Sequence, residues 1–130
     1  MRYVTLQKGD VPLIEGYVTL RNQLRPMLAA KEVTVKETLA WLEKMAGVLV
    51  AVDDYEVVGA VAISSYGEIS VFHNGSHKGL GSDLLVRWEN MAKEAGFKRV
   101  WAWTMQENGK AQKLFKRHKY DMGVFFQRKI

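Results

Sequence analysis

The chain has 130 residues, 48% hydrophobic and 25% charged, the size and balance of one compact domain with its own core. It has no cysteine, which excludes disulfide stapling, thiolate metal sites and cysteine nucleophiles. The net charge of +5 is uneven, with seven Lys/Arg against nine Asp/Glu in residues 1–76 and twelve against five in residues 77–130, an asymmetry suited to nucleic acid, an anionic membrane or a phosphate-rich cofactor. The longest apolar runs, Val48 to Val52 and Val57 to Ile63, are far shorter than the roughly 20 residues that cross a bilayer. With no signal-peptide pattern at the start, a soluble, cytoplasmic single domain over residues 1–130 is expected.

Met1 to Gln7 alternates as a first strand. Asp10 then offers a side-chain cap and Pro12 a first-turn residue for a helix with Leu13, Tyr17, Leu20 and Leu24 on one face. Arg25-Pro26 predicts a stop, because a residue before proline is pushed out of the helical region. Thr34 with Glu37 has the form of a capping box, and Val35, Leu39, Leu42 and Met45 keep helical spacing up to Gly47. Val48–Val52 and Val57–Ile63, joined through Asp53-Asp54, read as a central hairpin apolar on both faces. Gly67 to His73 is a further short strand. A glycine-containing loop follows, then a helix with Leu80, Leu84, Trp88, Met91 and Ala95 on one face and Gly96 at its end. Lys98–Thr104 reads as a strand, Asn108–His118 as a short helix and Met122–Gln127 as a last strand. The order is β-α-α-β-β-β-α-β-α-β, an α+β mixed sheet whose parallel return from the fourth to the fifth strand uses the intervening helix.

The loop Ser76-His77-Lys78-Gly79-Leu80-Gly81-Ser82 stands between a strand and a helix, where free backbone N–H groups and the positive end of the helix dipole meet. Gly79 and Gly81 lack β-carbons, Ser82 offers a hydroxyl, and Lys78 and His77 add charge, so the loop suits a phosphate. No Gly-x-x-x-x-Gly-Lys-Ser/Thr run is present, and Leu84 occupies the third glycine position of a dinucleotide fingerprint.

These residues resemble the GNAT superfamily of acyl-CoA N-acyltransferases, whose signature is Gln/Arg-x-x-Gly-x-Gly/Ala between the fourth strand and the next helix. Ser76 to Gly81 matches at both glycines and departs at Ser76. Asn108-Gly109-Lys110-Ala111-Gln112-Lys113-Leu114-Phe115, followed by Lys119-Tyr120, is similar to the family's Asn-x-x-Ala-x-x-Leu-Tyr ending in Gly-Phe. The resemblance implies an α/β/α fold with a mixed six-stranded sheet, four helices and splayed fourth and fifth strands. It also implies acetyl-CoA as donor, its pyrophosphate held by Ser76, His77, Lys78, Gly79, Leu80, Gly81 and Ser82. Its pantetheine would pair with the fourth-strand edge at Val71, Phe72 and His73, and an N–H near Val71 or Phe72 would stabilise the oxyanion. Asn108 would bond pantetheine or cap its helix, and Phe115 stands where the family has its acid tyrosine, without a proton to give.

Transfer to an amine requires a neutral nitrogen. Glu68 on the fourth strand and His73 are the candidate bases, and Tyr120, His118 or water the candidate acids. Tyr17, Arg21, Arg25 and Phe125 are expected around the acceptor. Trp41, Trp88, Trp101 and Trp103 are expected mainly to pack. The resemblance thus implies acetyl transfer to a primary amine of a small molecule, peptide or protein, with a possible homodimer. Two alternatives stay open: a nucleic-acid-associated member using Lys110, Lys113, Lys116, Arg117 and Lys119, and a catalytically silent CoA-binding module.

Overall fold

The computed structural model of the protein describes residues 1–28, 31–102 and 108–121. Strand β1 (Arg2–Thr5) opens the chain, and helix α1 (Val11–Gln23) begins where the Asp10 carboxylate accepts the Leu13 N–H at 3.3 Å, with Pro12 in the first turn. Leu13, Ile14, Tyr17 and Leu20 form its buried stripe. The stop expected at Arg25-Pro26 is present, since α1 ends at Gln23 with Leu24 as its C-cap, and a single-turn helix, α2 (Arg25–Leu28), starts directly after it. Proline's fixed φ and missing N–H suit a first turn, so the residue that ends one helix also opens another. Helix α3 (Val35–Lys44) carries the full capping box between Thr34 and Glu37.

Gly47 does not end α3. The helix stops at Lys44, and β2 (Met45–Asp53) starts with a register shift between Met45 and Gly47. A Cβ on Gly47 would lie 2.5 Å from Trp88 Cη2, so glycine here makes room for an indole crossing the strand. Strand β3 (Glu56–Ser64) returns antiparallel through Asp54 and Tyr55, whose φ values of 53° and 75° match a two-residue hairpin turn. Strand β4 (Ile69–His73) completes an antiparallel sheet of order β1-β2-β3-β4.

Helix α4 (Leu80–Glu94) ends in a Schellman motif. Gly96 (φ 92°) donates to Lys93 O and Phe97 N–H to Ala92 O, both at 3.0 Å. Ala92, not the expected Ala95, completes its buried stripe. Helix α5 (Gly109–Arg117) lies between caps Asn108 and His118. One core, under α1 and α3, joins Ile14, Tyr17 and Leu20 to Val48, Val50 and Phe72. The other, under α4 and α5, joins Leu80, Leu84, Leu85 and Trp88 to Leu49, Val61 and Ile69, with Leu114 and Phe115 packed on it.

Beyond β4, Glu68 and Trp101 form a parallel bridge, with Trp101 N–H donating to Gly67 O at 2.9 Å and Ile69 N–H donating to Trp101 O at 2.7 Å. This is the parallel return across α4 that the element order requires. Of the expected six strands, the described residues contain four and this bridge. Trp103, Phe125 and the last strand Met122–Gln127 lie outside the described residues. The four expected helices are all present, and the described residues add the single-turn α2. No helix among the described residues is long and apolar enough to cross a membrane.

Candidate active site

The segment from β4 into α4 is tied down by its own polar groups. Asn74 N–H donates to Val58 O (2.9 Å), Gly75 N–H to His73 Nδ1 (3.0 Å) and Ser76 N–H to Asn74 Oδ1 (3.0 Å). Ser76 Oγ contacts His77 Nδ1 at 2.9 Å, and His77 Nε2 reaches Asp53 Oδ2 of the β2–β3 hairpin at 3.0 Å. Gly79, in the left-handed region at φ 79°, is the N-cap of α4 and provides no side-chain cap. The N–H groups of His77, Lys78, Gly79, Gly81 and Ser82 accordingly have no partner among the described residues. Five amide donors at the positive end of a 15-residue helix form an anion cradle that a pyrophosphate fits.

The edge of β4 adds a second feature. Glu68 O and Asn74 N–H bond to β3. By alternation Ser70 and Phe72 do likewise, while Ile69, Val71 and His73 turn their N–H and C=O the other way. Ile69 N–H meets Trp101, but the outward groups of Val71 and His73 have no backbone partner among the described residues. Among the described residues a short stretch of open edge therefore leads directly to the amide cradle, an arrangement that admits an extended amide-bearing chain as an added strand.

Several expected roles change on this geometry. A Cβ on Gly81 would lie 3.3 Å from His73 Nε2 and 3.5 Å from Leu114 Cδ2, so Gly81 allows α4, β4 and α5 to close together as well as exposing its own N–H. Ser82 Oγ turns to α5, 3.0 Å from His118 Nε2 and 3.4 Å from Arg117 Nη1, so its amide and not its hydroxyl faces the cradle. Leu80 and Phe72 are buried core residues. Asn108 caps α5 by accepting Ala111 N–H at 3.1 Å.

The expected proton carriers are each engaged. His73 Nδ1 accepts the Gly75 N–H, which leaves Nε2 carrying the proton of the neutral ring. Burial and the nearby Lys110 ammonium lower its pKa. Tyr120 O–H donates to Glu89 Oε1 at 2.7 Å and its ring lies 5.1 Å from Phe115, while burial and Glu89 push its pKa up. Glu68 accepts from Tyr66 O–H at 3.2 Å. It sits three residues before Val71, about 10 Å along the strand.

On the acceptor side, Tyr17 is only 2% exposed, stacked on Trp41 at 5.6 Å and tilted on Phe72 at 5.8 Å. It is core and lines no open pocket. Burial pushes its phenol pKa up against the opposing Arg21 charge and hydrogen bond. Arg21 donates to Lys31 O at 2.9 Å and Arg25 pairs with Glu32 at 3.3 Å, so both brace the chain after α2. Trp41 and Trp88 pack as expected, but Trp101 is 44% exposed and stacks on Tyr66 at 5.8 Å. Tyr66, Asp53 and Glu89 carry no motif. Each acts through a partner that only the tertiary fold brings near, except that Tyr66 and Glu68 share a short turn.

The profile of the Acetyltransferase (GNAT) family matches residues 17–120. No curated protein matches the chain by sequence. Among solved structures, yncA from Salmonella typhimurium with its cofactor acetyl-CoA is similar at 24% identity over 98% of this chain and 87% of its own, with a TM-score of 0.79. A ribosomal-protein-alanine N-acetyltransferase from Brucella melitensis is similar at 20% identity over 92% and 83%, TM-score 0.78. An aminoglycoside acetyltransferase from an uncultured soil metagenomic sample, in complex with sisomicin, follows at 16% over 99% and 95%, TM-score 0.77. At these identities the likeness is one of fold, and nearly equal scores accompany different acceptors.

Proposed function

The chain belongs to the acetyltransferase (GNAT) family, enzymes that use acetyl-CoA as donor, and from that premise we propose that it acetylates a primary amine of a small molecule, peptide or protein by direct attack on the thioester. The observation that carries the reading is the cradle of His77, Lys78, Gly79, Gly81 and Ser82 amides, unpaired among the described residues, opening onto the outward-facing edge at Val71 and His73. The cradle suits the pyrophosphate, and the edge suits the two amides of pantetheine.

Acetyl-CoA supplies a thioester carbonyl and a thiol leaving group with a pKa of roughly 8–9. The chain supplies position and charge. The amides from His77 to Ser82 and Lys78 hold the diphosphate, and the Val71 and His73 backbone aligns the pantetheine arm so that an outward N–H is available to the thioester oxygen. His73 and Tyr120 are positioning residues in this reading. The first ties the loop to β4 through Gly75, and the second ties α5 to α4 through Glu89. With their lone pair and proton so engaged, the acceptor's proton goes to water, and the departing thiolate needs no Phe115 hydroxyl.

The test is calorimetric titration of acetyl-CoA into the wild type and Ser82→Asp. An aspartate in the first turn favours α4 and faces Arg117 and His118, so the fold is kept while a negative charge at the helix N-terminus opposes a bound diphosphate through the field. Micromolar binding by the wild type, at least about tenfold weaker in the variant, supports the reading and opens a screen of amines by free thiol release. A folded wild type that does not bind acetyl-CoA removes it.

A further inference from the structure

At the start of β4, on the face away from α4, three side chains meet that the transfer chemistry leaves unused. Trp101 and Glu68 are bridge partners and so share a face of the sheet. Val100 and Ile69, their neighbours in sequence, pack into the α4 core, which places Trp101 and Glu68 on the α1 side. Tyr66 stacks on Trp101 with its centroid 5.8 Å away and planes at 29°, and donates its O–H to Glu68 Oε2 at 3.2 Å. Both rings are open to solvent, Tyr66 at 66% and Trp101 at 44%. Among the described residues, no cationic side chain pairs with Glu68.

Two exposed π faces beside a carboxylate held by a phenol form a site for an organic cation. An apolar partner would not require the carboxylate, and an anion would be repelled by it. The place matters as much as the chemistry. The group lies about 10 Å before Val71, whose edge aligns the thioester in the reading above, so the attacking nitrogen must come close to Val71 and must be neutral. We infer that Tyr66, Glu68 and Trp101 bind a second positive charge on the acceptor, so that the preferred substrates are di- or polycationic amines whose second ammonium lies about 10 Å from the nitrogen acetylated. This rests on the acetyl-transfer reading.

The experiment compares an eight-carbon diamine with the amino alcohol of the same length, which has one charge fewer. The wild type should acetylate the diamine with kcat/KM about tenfold higher. In Glu68→Gln and in Trp101→Ala the ratio should fall to within about twofold of one. An equal ratio in wild type and variants, or no preference in the wild type, overturns the inference. Binding is read separately from turnover by the indole N–H resonance of Trp101, assigned with Trp101→Phe in protein saturated with CoA. A shift on adding the diamine but not the amino alcohol supports the subsite, and no shift refutes it. Failure of CoA itself to bind, measured in the same sample, counts against the parent reading instead.

Discussion

Gly75 and Gly79 share a left-handed φ, 78° and 79°, and at both a Cβ would enter open space. Alanine at either position therefore introduces left-handed strain without a clash, about 1–2 kcal/mol. For a domain of this size that is a fall in Tm of roughly 3–8 °C. The two positions differ in their amides. Gly75 N–H is committed to His73 Nδ1, whereas Gly79 N–H has no partner among the described residues. A methyl at 79 also stands on the open side of the cradle, where a phosphate oxygen would approach. If one charge-assisted bond of about 1.5–3 kcal/mol is lost there, acetyl-CoA binds about 10- to 100-fold more weakly. Gly75→Ala should stay within about threefold of the wild type. Thermal unfolding of both variants, followed by calorimetric titration at one fixed ionic strength, makes the comparison. Equal melting with unequal affinity is the expected result. Equal loss of affinity in both variants, or none in Gly79→Ala, would refute the assignment of the cradle to the α4 N-terminus.

Gly47→Ala forces a methyl to within 2.5 Å of Trp88 Cη2 and 2.9 Å of Cζ2, and should destabilise the fold by about 1–3 kcal/mol, seen as a lower urea midpoint at unchanged m. Tyr120→Phe removes the donor to Glu89 and should cost about 1–2 kcal/mol of stability while kcat stays within about threefold. A hundredfold fall in kcat with stability intact would make Tyr120 the general acid after all. His73, with a folded pKa lowered from the ordinary 6.5, binds fewer protons folded than unfolded below that pH. Stability from this source is therefore complete above about pH 6.5 and is lost as pH falls toward the lowered folded pKa. Urea unfolding at pH 7.5 and 5.5 should show a smaller acid loss in His73→Asn than in the wild type, and an identical loss would show that the imidazole is not desolvated.

The features that the sequence made readable were those with local causes. Asp10 with Pro12, Thr34 with Glu37, and Gly96 each satisfy helix-end groups within a few residues, and each acts as expected. The loop from Ser76 to Ser82 could be read as an anion site for the same reason, since strand, glycine and helix start lie side by side in the chain. Gly47 was misread because its cause is the indole of Trp88, 41 residues on. Arg25-Pro26 marked the end of α1 as expected, and the turn that follows it, α2, went unread because proline ends a helix and starts one by the same property. In the site, Ser82, His73 and Tyr120 looked like free functional groups in sequence. In the structure they are hydrogen-bonded to His118, Gly75 and Glu89. Hydrogen bonds across 31 or 36 residues leave no periodicity or motif to read.

The hold of Asp53 on His77 joins the loop to the hairpin at the centre of the sheet. With the bonds at Asn74, Gly75 and Ser76, it means that the His77 ring and the early amides are held within the protein while the later amides have no partner among the described residues. Such a loop is preorganised. Little conformational entropy remains to be lost when a ligand arrives, so more of the interaction energy is expressed as affinity. The same rigidity sets a limit on selectivity. A cradle that cannot rearrange recognises the diphosphate and adjoining arm common to every acyl-CoA, and discrimination among acyl groups must arise farther along β4, beyond the reach of the loop.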